Sequence, residues 1–289
     1  MPVFTTPEPI SVTIELNAGD ARIIASDRTD TVIQVRPRDD SKASDIRAAE
    51  QTRVEYSSGT LLVRSRQRNF IYEGARSVIG PGRGSPVDVT IELPAGSQVQ
   101  GDSGMGEFGC EGELGECRFK TGLGNIRLDH TSALHLKTGM GNIAVDRASG
   151  EADVTTGSGE VRIGYIGGAA VIKNSNGDTA VGEVTGDLRV KSANGRISVD
   201  RAHASVIAKT ANGNIRIGEV VNGAIVLETA AGELQVGIRE GTAAWLDVSS
   251  QYGRVRNSLD ETDSPEQSEA TVEIRARTSY GDITIRRAR

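Results

Sequence analysis

TGLGNIRL (residues 121–128) returns as TGMGNIAV (138–145) and as TGSGEVRI (156–163). The phrase continues as NSNGDTAV from Asn174, SANGRISV from Ser192, TANGNIRI from Thr210 and TAAGELQV from Thr229. An early copy, SGMGEFGC, starts at Ser103, and late copies start at Ser250 (SQYGRVRN) and Thr278 (TSYGDITI). The anchoring glycines are Gly106, Gly124, Gly141, Gly159, Gly177, Gly195, Gly213, Gly232, Gly253 and Gly281, with gaps of 18, 17, 18, 18, 18, 18, 19, 21 and 28 residues. A near-constant period of this size marks a stack of repeats that share one continuous core.

Each repeat can be read residue by residue. Two and four places after the glycine stand apolar residues: Ile126 and Leu128, Ile143 and Val145, Val161 and Ile163, Ile197 and Val199, Ile215 and Ile217. The positions between them are mostly polar, so this is a short strand with one buried side. A second alternating pair precedes the next glycine: Leu134 and Leu136, Ala152 and Val154, Ala170 and Ile172, Leu188 and Val190, Ile225 and Leu227. Gly150, Gly168, Gly186 and Gly223 punctuate the turn between the two strands. A strand–turn–strand–turn unit of constant length coils most simply, each strand stacking on its counterpart about 4.8 Å away. One coil buries about four aliphatic side chains, at roughly 1.5–3 kcal/mol each. Ordering its backbone costs about 1–2 kcal/mol per residue, so a coil stands only within a stack. The pattern therefore predicts an all-β fold, a parallel β-solenoid of about 18-residue coils with atypical N- and C-terminal caps. An antiparallel meander or propeller would need two periods before one face recurred. A hexapeptide coil would need aliphatics where Ser132 and Thr138 stand.

Four segments follow from this reading. Residues 1–100 form a β-rich N-terminal cap, 101–257 the repeats, 258–271 an acidic loop, and 272–289 a closing repeat. Within the cap, SVTIELNAG (11–19) echoes DVTIELPAG (88–96), which suggests related edge units at the start of the stack. Between them the pattern predicts a strand at 31–35, a short helix at 44–52 and strands near Val54 and at 61–63. Residues 66–86 are rich in Gly, Pro and Arg and read as a loop. The run Gly80-Pro81-Gly82-Arg83-Gly84 lacks the flanking strand, helix and Lys-Ser/Thr of a phosphate-binding loop.

Composition narrows the chemistry. Aromatics are 3% of the chain and glycines number 35, which suits a thin two-layer coil better than a globular core. The formal charge of −6 argues against general attraction to nucleic acid or an anionic membrane by the whole molecule. The first residues, MPVFTTPEPI, carry no secretory signal pattern, and no apolar run is long enough to span a bilayer. Two cysteines, Cys110 and Cys117, suit a reducing cytoplasm and fall on inward repeat positions. Export of the chain as a surface protein is the alternative.

The glycine-rich period invites comparison with calcium-binding nonapeptide rolls, but the aspartate position of that motif holds Ile126, Ile143, Val161, Ile197 and Ile215. Asp129, Asp146 and Asp200 are scattered rather than paired as glycoside hydrolysis requires. His130, His135 and His203 form no triad or zinc pattern. No catalytic residue, metal or cofactor is expected. One surface stands out. The outward positions of the second strands collect Arg118, Lys120, Lys137, Lys173, Arg189, Lys191 and Lys209, opposed only by Asp153 and Glu228. These seven are the candidate docking face for an anionic partner: lipid headgroups, a cell-wall polymer or an acidic protein.

The repeated TGxGN phrase, the DVTIELPAG strand and VIKNSNGDTAVGEVTGDL (171–188) together resemble the bacterial putative-adhesin family, a domain of unknown function. The resemblance covers nearly the whole chain. It implies a β-solenoid, an association with envelope-stress operons and no established catalytic residues. The combined reading is a non-catalytic interaction or scaffold protein of the cytoplasm with an unidentified protein or anionic-polymer partner. The alternatives are a surface-exposed adhesin and a self-assembling filament.

Overall fold

The computed structural model describes residues 2–65, 85–259 and 270–288. Among them the chain is almost entirely strand, with one helix, Ala43–Gln51. The strands build two sheets of largely parallel ladders with no closed barrel, a β-solenoid. The loop read at 66–86 and the phosphate-loop comparison at 80–84 fall almost wholly outside the described residues, as does most of the acidic loop at 258–271.

The coil is built as its pattern requires. Strands that follow a corner glycine stack on one another in one sheet, as in Ile143↔Val161↔Thr179↔Ile197↔Ile215. Strands that precede one form the second sheet, as in Ala152↔Ala170↔Leu188↔Val206↔Ile225. The inward aliphatics are buried between the sheets, Ile197, Val199, Val190 and Val206 completely.

The recurring letters T, G and N each have a distinct task at the corner. Gly195 has φ of +133°, and a Cβ there would lie 2.1 Å from the carbonyl oxygen of Gly177 in the adjacent coil. Only glycine permits both the conformation and the approach. Three residues earlier, a buried threonine donates its hydroxyl to the corner carbonyl of the adjacent coil. Thr121 reaches Gly106 at 3.1 Å, Thr138 reaches Gly124 at 3.1 Å, and Thr229 reaches Gly213 at 3.1 Å. Asn174 takes the place of threonine and donates to Gly159 O at 3.0 Å. One residue after the glycine, a side-chain oxygen accepts the backbone N–H of the next coil: Asn142 from Glu160 at 2.8 Å, Asp178 from Arg196 at 2.8 Å, Asn214 from Glu233 at 2.9 Å. Backbone groups that the sharp corner would strand are thus satisfied.

The chain divides into two compact units, residues 1–131 with 136–140, and residues 132–135 with 141–289. In the first unit, Ser11–Ala18 lies between Thr60–Arg64 and Gln98–Met105, parallel to both. Val87–Pro94 lies between Ala21–Ser26 and Asp30–Pro37. The two echoing segments are therefore interior strands of opposite sheets, not the edge units that their similarity suggested. The edges are short and antiparallel: Val3–Thr5 pairs with Asp30–Pro37, and Arg53–Ser57 forms a hairpin with Thr60–Arg64. Ser58 and Gly59, both with positive φ, make the two-residue turn that suits a twisted hairpin. The core of this unit holds the stacked rings of Phe108 and Phe119, 4.7 Å apart, in space left by Gly101.

In the second unit the expected closing repeat, 272–289, is not at the end of the ladder. Ala270–Tyr280 is inserted between Gly223–Ala231 and Thr242–Tyr252, parallel to both. Ile283–Arg287 sits likewise between Leu234–Ile238 and Val255–Asn257. The corner hydroxyls record this order: Thr278 donates to Gly232 O at 3.0 Å, and Ser250 to Gly281 O at 2.8 Å. The gap of 28 residues between Gly253 and Gly281, the longest in the series, coincides with this change of order.

Cys110 and Cys117 are buried and unpaired. Burial pushes the Cys110 thiol well above its ordinary range and the Cys117 thiol up to about 11. Because the thiolate is the reactive form, neither should be alkylated by iodoacetamide at pH 8 in the folded protein, and both should react in denaturant. Mass spectrometry after timed labelling checks this; native-state modification at the denatured rate would contradict the burial. A paired substitution tests the corner. Gly59→Ala meets no atom within 4 Å, so it should cost only about 1–2 kcal/mol of left-handed strain. Gly195→Ala adds overpacking against Gly177 and should cost more than about 3 kcal/mol. Urea denaturation compares the two.

Candidate interaction surface

Once the ladder is in register, outward side chains fall into columns with one residue per coil, about 4.8 Å apart. On the first-strand sheet of the second unit, one column reads Arg147, Tyr165, Glu183, Arg201, Glu219. It neutralises itself. The Arg147 guanidinium lies 3.8 Å from the centre of the Tyr165 ring. Arg201 sits between Glu183 at 3.9 Å and Glu219 at 3.6 Å, and His203 Nε2 is 2.8 Å from Glu183 Oε1. The sequence reading missed this column, although its members are 18 residues apart throughout. Reading every eighteenth residue, rather than neighbours along the chain, would have found it.

The second-strand sheet is different. Lys173, Lys191 and Lys209 stand in direct register on consecutive coils, following Thr155. Beside them runs a column of Asp153, Val171, Arg189, Ile207 and Val226. Lys209 is held by Glu228 at 2.6 Å. Lys173, Arg189 and Lys191 are exposed and have no ion-pair partner among the described residues. Neighbouring ammonium groups at this spacing repel by about 1 kcal/mol in water and less in salt. The structure thus brings four of the seven expected residues into one cluster and leaves three of its charges unanswered.

The other three lie in the first unit. Arg118 pairs with Glu116 at 2.6 Å, and Lys120 approaches Asp102 at 3.8 Å. Lys137 is exposed on Leu134–Met140. Two of these charges are therefore already partnered, which distinguishes them from the cluster around Lys191.

The residues weighed for chemistry occupy structural places. Ile126, Ile143, Val161, Ile197 and Ile215 face the core, so the positions that a calcium roll would use are unavailable to solvent. Asp129 accepts a hydrogen bond from the Gly112 N–H at 3.1 Å. Among the described residues no group of three His, Cys, Asp or Glu side chains is placed to hold a metal ion. No described helix is long and apolar enough to cross a membrane.

Comparison with known proteins places this architecture. No curated protein matches the chain. A solved structure of a putative cell adhesion protein from Clostridium sporogenes is 11% identical, over 99% of this chain and 98% of that one, with a TM-score of 0.24. A putative adhesin from Bacteroides fragilis is 11% identical over 99% and 95%, with a TM-score of 0.29. The model of the Toastrack DUF4097 family, a domain of unknown function, matches residues 11–286, from the first interior strand to the last, and the chain belongs to that family.

Proposed function

We propose that the protein is a non-catalytic interaction scaffold that docks an anionic partner through the ladder of Lys173, Arg189, Lys191 and Lys209. The observation that carries this reading is the contrast between an outward column of one sheet and the lysine column of the other. A column on the first sheet balances its charges from coil to coil, whereas the second repeats one sign and leaves Lys173, Arg189 and Lys191 unpaired among the described residues. Retaining repulsion on one face is readily explained if an incoming anion relieves it. With a formal charge of −6, the molecule as a whole repels anions, so attraction must come through this cluster and will orient the partner. Val171, Ile207 and Val226 add apolar contact between the charges. A scaffold role is supported further by the corner acids and amides: Asp178, Asp187 and Asp282 are engaged in holding backbone N–H groups. Arg118, Lys120 and Lys137 provide secondary contacts in this reading.

The location that accompanies it is the cytoplasm, where two unpaired thiols are the ordinary state. A surface-exposed adhesin is the alternative; the two solved structures are named as a putative cell adhesion protein and a putative adhesin. Protease treatment of intact cells carrying a tagged copy separates them: survival until lysis supports the cytoplasmic scaffold, and shaving from intact cells supports the adhesin.

The docking face is tested by chromatography on a phosphate-bearing matrix at low salt and pH 7. The native protein should be retained despite its net negative charge and should elute as salt rises. Lys173→Glu/Arg189→Glu/Lys191→Glu should flow through. A control reversing the exposed Arg53, Arg216 and Arg254 changes net charge equally and should remain bound. Equal behaviour of the two triple variants would remove the basis for a localised site.

A further inference from the structure

The coil of residues 242–257 leaves a long edge on the second unit. Thr242–Tyr252 pairs with Ala270–Tyr280 on one side and has no strand on its other side among the described residues. It is 11 residues long and contains no Lys, Arg or Pro, the residues that ordinarily blunt such edges. Its inward positions are incompletely covered: Ala244, Leu246 and Val248 are half-buried, whereas their partners Val272, Ile274 and Ala276 are buried. Val255 is 44% exposed opposite the fully buried Ile283. Trp245 is 58% exposed and Tyr252 is 61% exposed. Tyr252 stacks on Tyr280 at 4.9 Å.

We infer that this edge is covered by the same edge of a second copy, giving a two-fold dimer. Three features favour that occupant. The edge is neutralised from within, since Asp247 pairs with Arg277 at 3.2 Å, Arg256 with Asp282 at 3.4 Å and Glu273 with Arg275 at 2.7 Å. A charged partner finds little to complement there, with Arg254 the exception, whereas like can meet like without repulsion. The uncovered cross-section is that of one coil, and an identical coil matches its footprint. A two-fold axis sets the two 242–252 strands antiparallel, the arrangement in which their free N–H and C=O groups pair reciprocally.

The same comparison argues for a closed pair over a filament. Head-to-tail growth needs a second open edge of matching length, and the first unit ends in Val3–Thr5 and the hairpin strand Arg53–Ser57, both short and antiparallel. Three strands, Val206–Asn212, Gly223–Ala231 and Ala270–Tyr280, separate the contact from Lys173, Arg189 and Lys191, so either can fail without the other.

The chain's single tryptophan lies in the inferred interface, which makes its fluorescence a direct probe. The full-length protein is examined by sedimentation velocity and tryptophan emission from about 1 to about 100 μM, a range that brackets micromolar association. The expected result is a monomer–dimer equilibrium, with emission shifting to shorter wavelength as dimer forms. Trp245→Lys/Val255→Lys should sediment as a monomer with an unchanged circular dichroism spectrum. Val255→Lys alone should weaken the dimer and retain the fluorescence readout. Lys173→Glu/Arg189→Glu/Lys191→Glu should dimerise like the native chain. A monomer throughout the range, a dimer indifferent to the two lysines, or fibres in negative stain would each overturn the inference.

Discussion

The structure depends on how closely one coil can approach the next at the glycine corner. A Cβ at Gly195 would fall 2.1 Å from Gly177 O, and one at Gly213 would fall 2.0 Å from Gly195 O. This approach repeats up the ladder, so each corner is a condition for the next. It also explains why the neighbours of the glycine are so restricted. A corner this tight exposes a carbonyl that the inter-strand ladder alone does not fully use, and the threonine hydroxyl is a short donor that reaches it from within the core. The Asn or Asp after the glycine provides the complementary acceptor for an N–H. Three letters of the repeated phrase are one hydrogen-bonded joint, and aliphatic burial stabilises what the joint has aligned.

A fixed register converts sequence distance into spatial neighbourhood. Residues 18 apart, remote by ordinary inspection, become direct neighbours, and charge along the chain loses its meaning. Glu183, Arg201 and Glu219 form an ion-paired column although each is separated from the next by two strands and two turns. By the same geometry Lys173, Lys191 and Lys209 share one face. Exposed ion pairs are individually worth little. Their value here lies in contrast: where a column can balance its charges at no structural cost, a column that does not is informative.

The repeats were legible because the signal was redundant. Ile197 and Val199 occupy the same positions as Ile215 and Ile217, and each copy corroborated the others. The basic residues were legible as a list but not as a cluster, because ion pairing by Glu228, Glu116 and Asp102 depends on side-chain reach rather than on period. The ends were misread for a different reason. Strand patterns report which face is buried and are silent on which strand lies alongside. SVTIEL and DVTIEL look alike because both are amphipathic and interior, and that likeness carried no information about their sheets. Likewise, the pattern at 272–285 is that of an ordinary repeat, and nothing in its period distinguishes a coil added last from one slipped in beneath its predecessor.

That insertion has a mechanical consequence. In a simple stack the terminal coil has one neighbour and frays first, as the ends of linear repeats do. Here Ser11–Ala18 in the first unit and Ile283–Arg287 in the second, the outermost strands of the repeat pattern in sequence, each have two parallel neighbours. The coil of residues 242–257 cannot complete its own ladder until the final strands have entered, since its parallel partners are Ala270–Tyr280 and Ile283–Arg287. Completion of the stack in the second unit is therefore tied to arrival of residues 270–287. The uncovered edge is then held by strands fixed on their other side, so an 11-residue open strand can be kept straight and ordered without being paired on both edges.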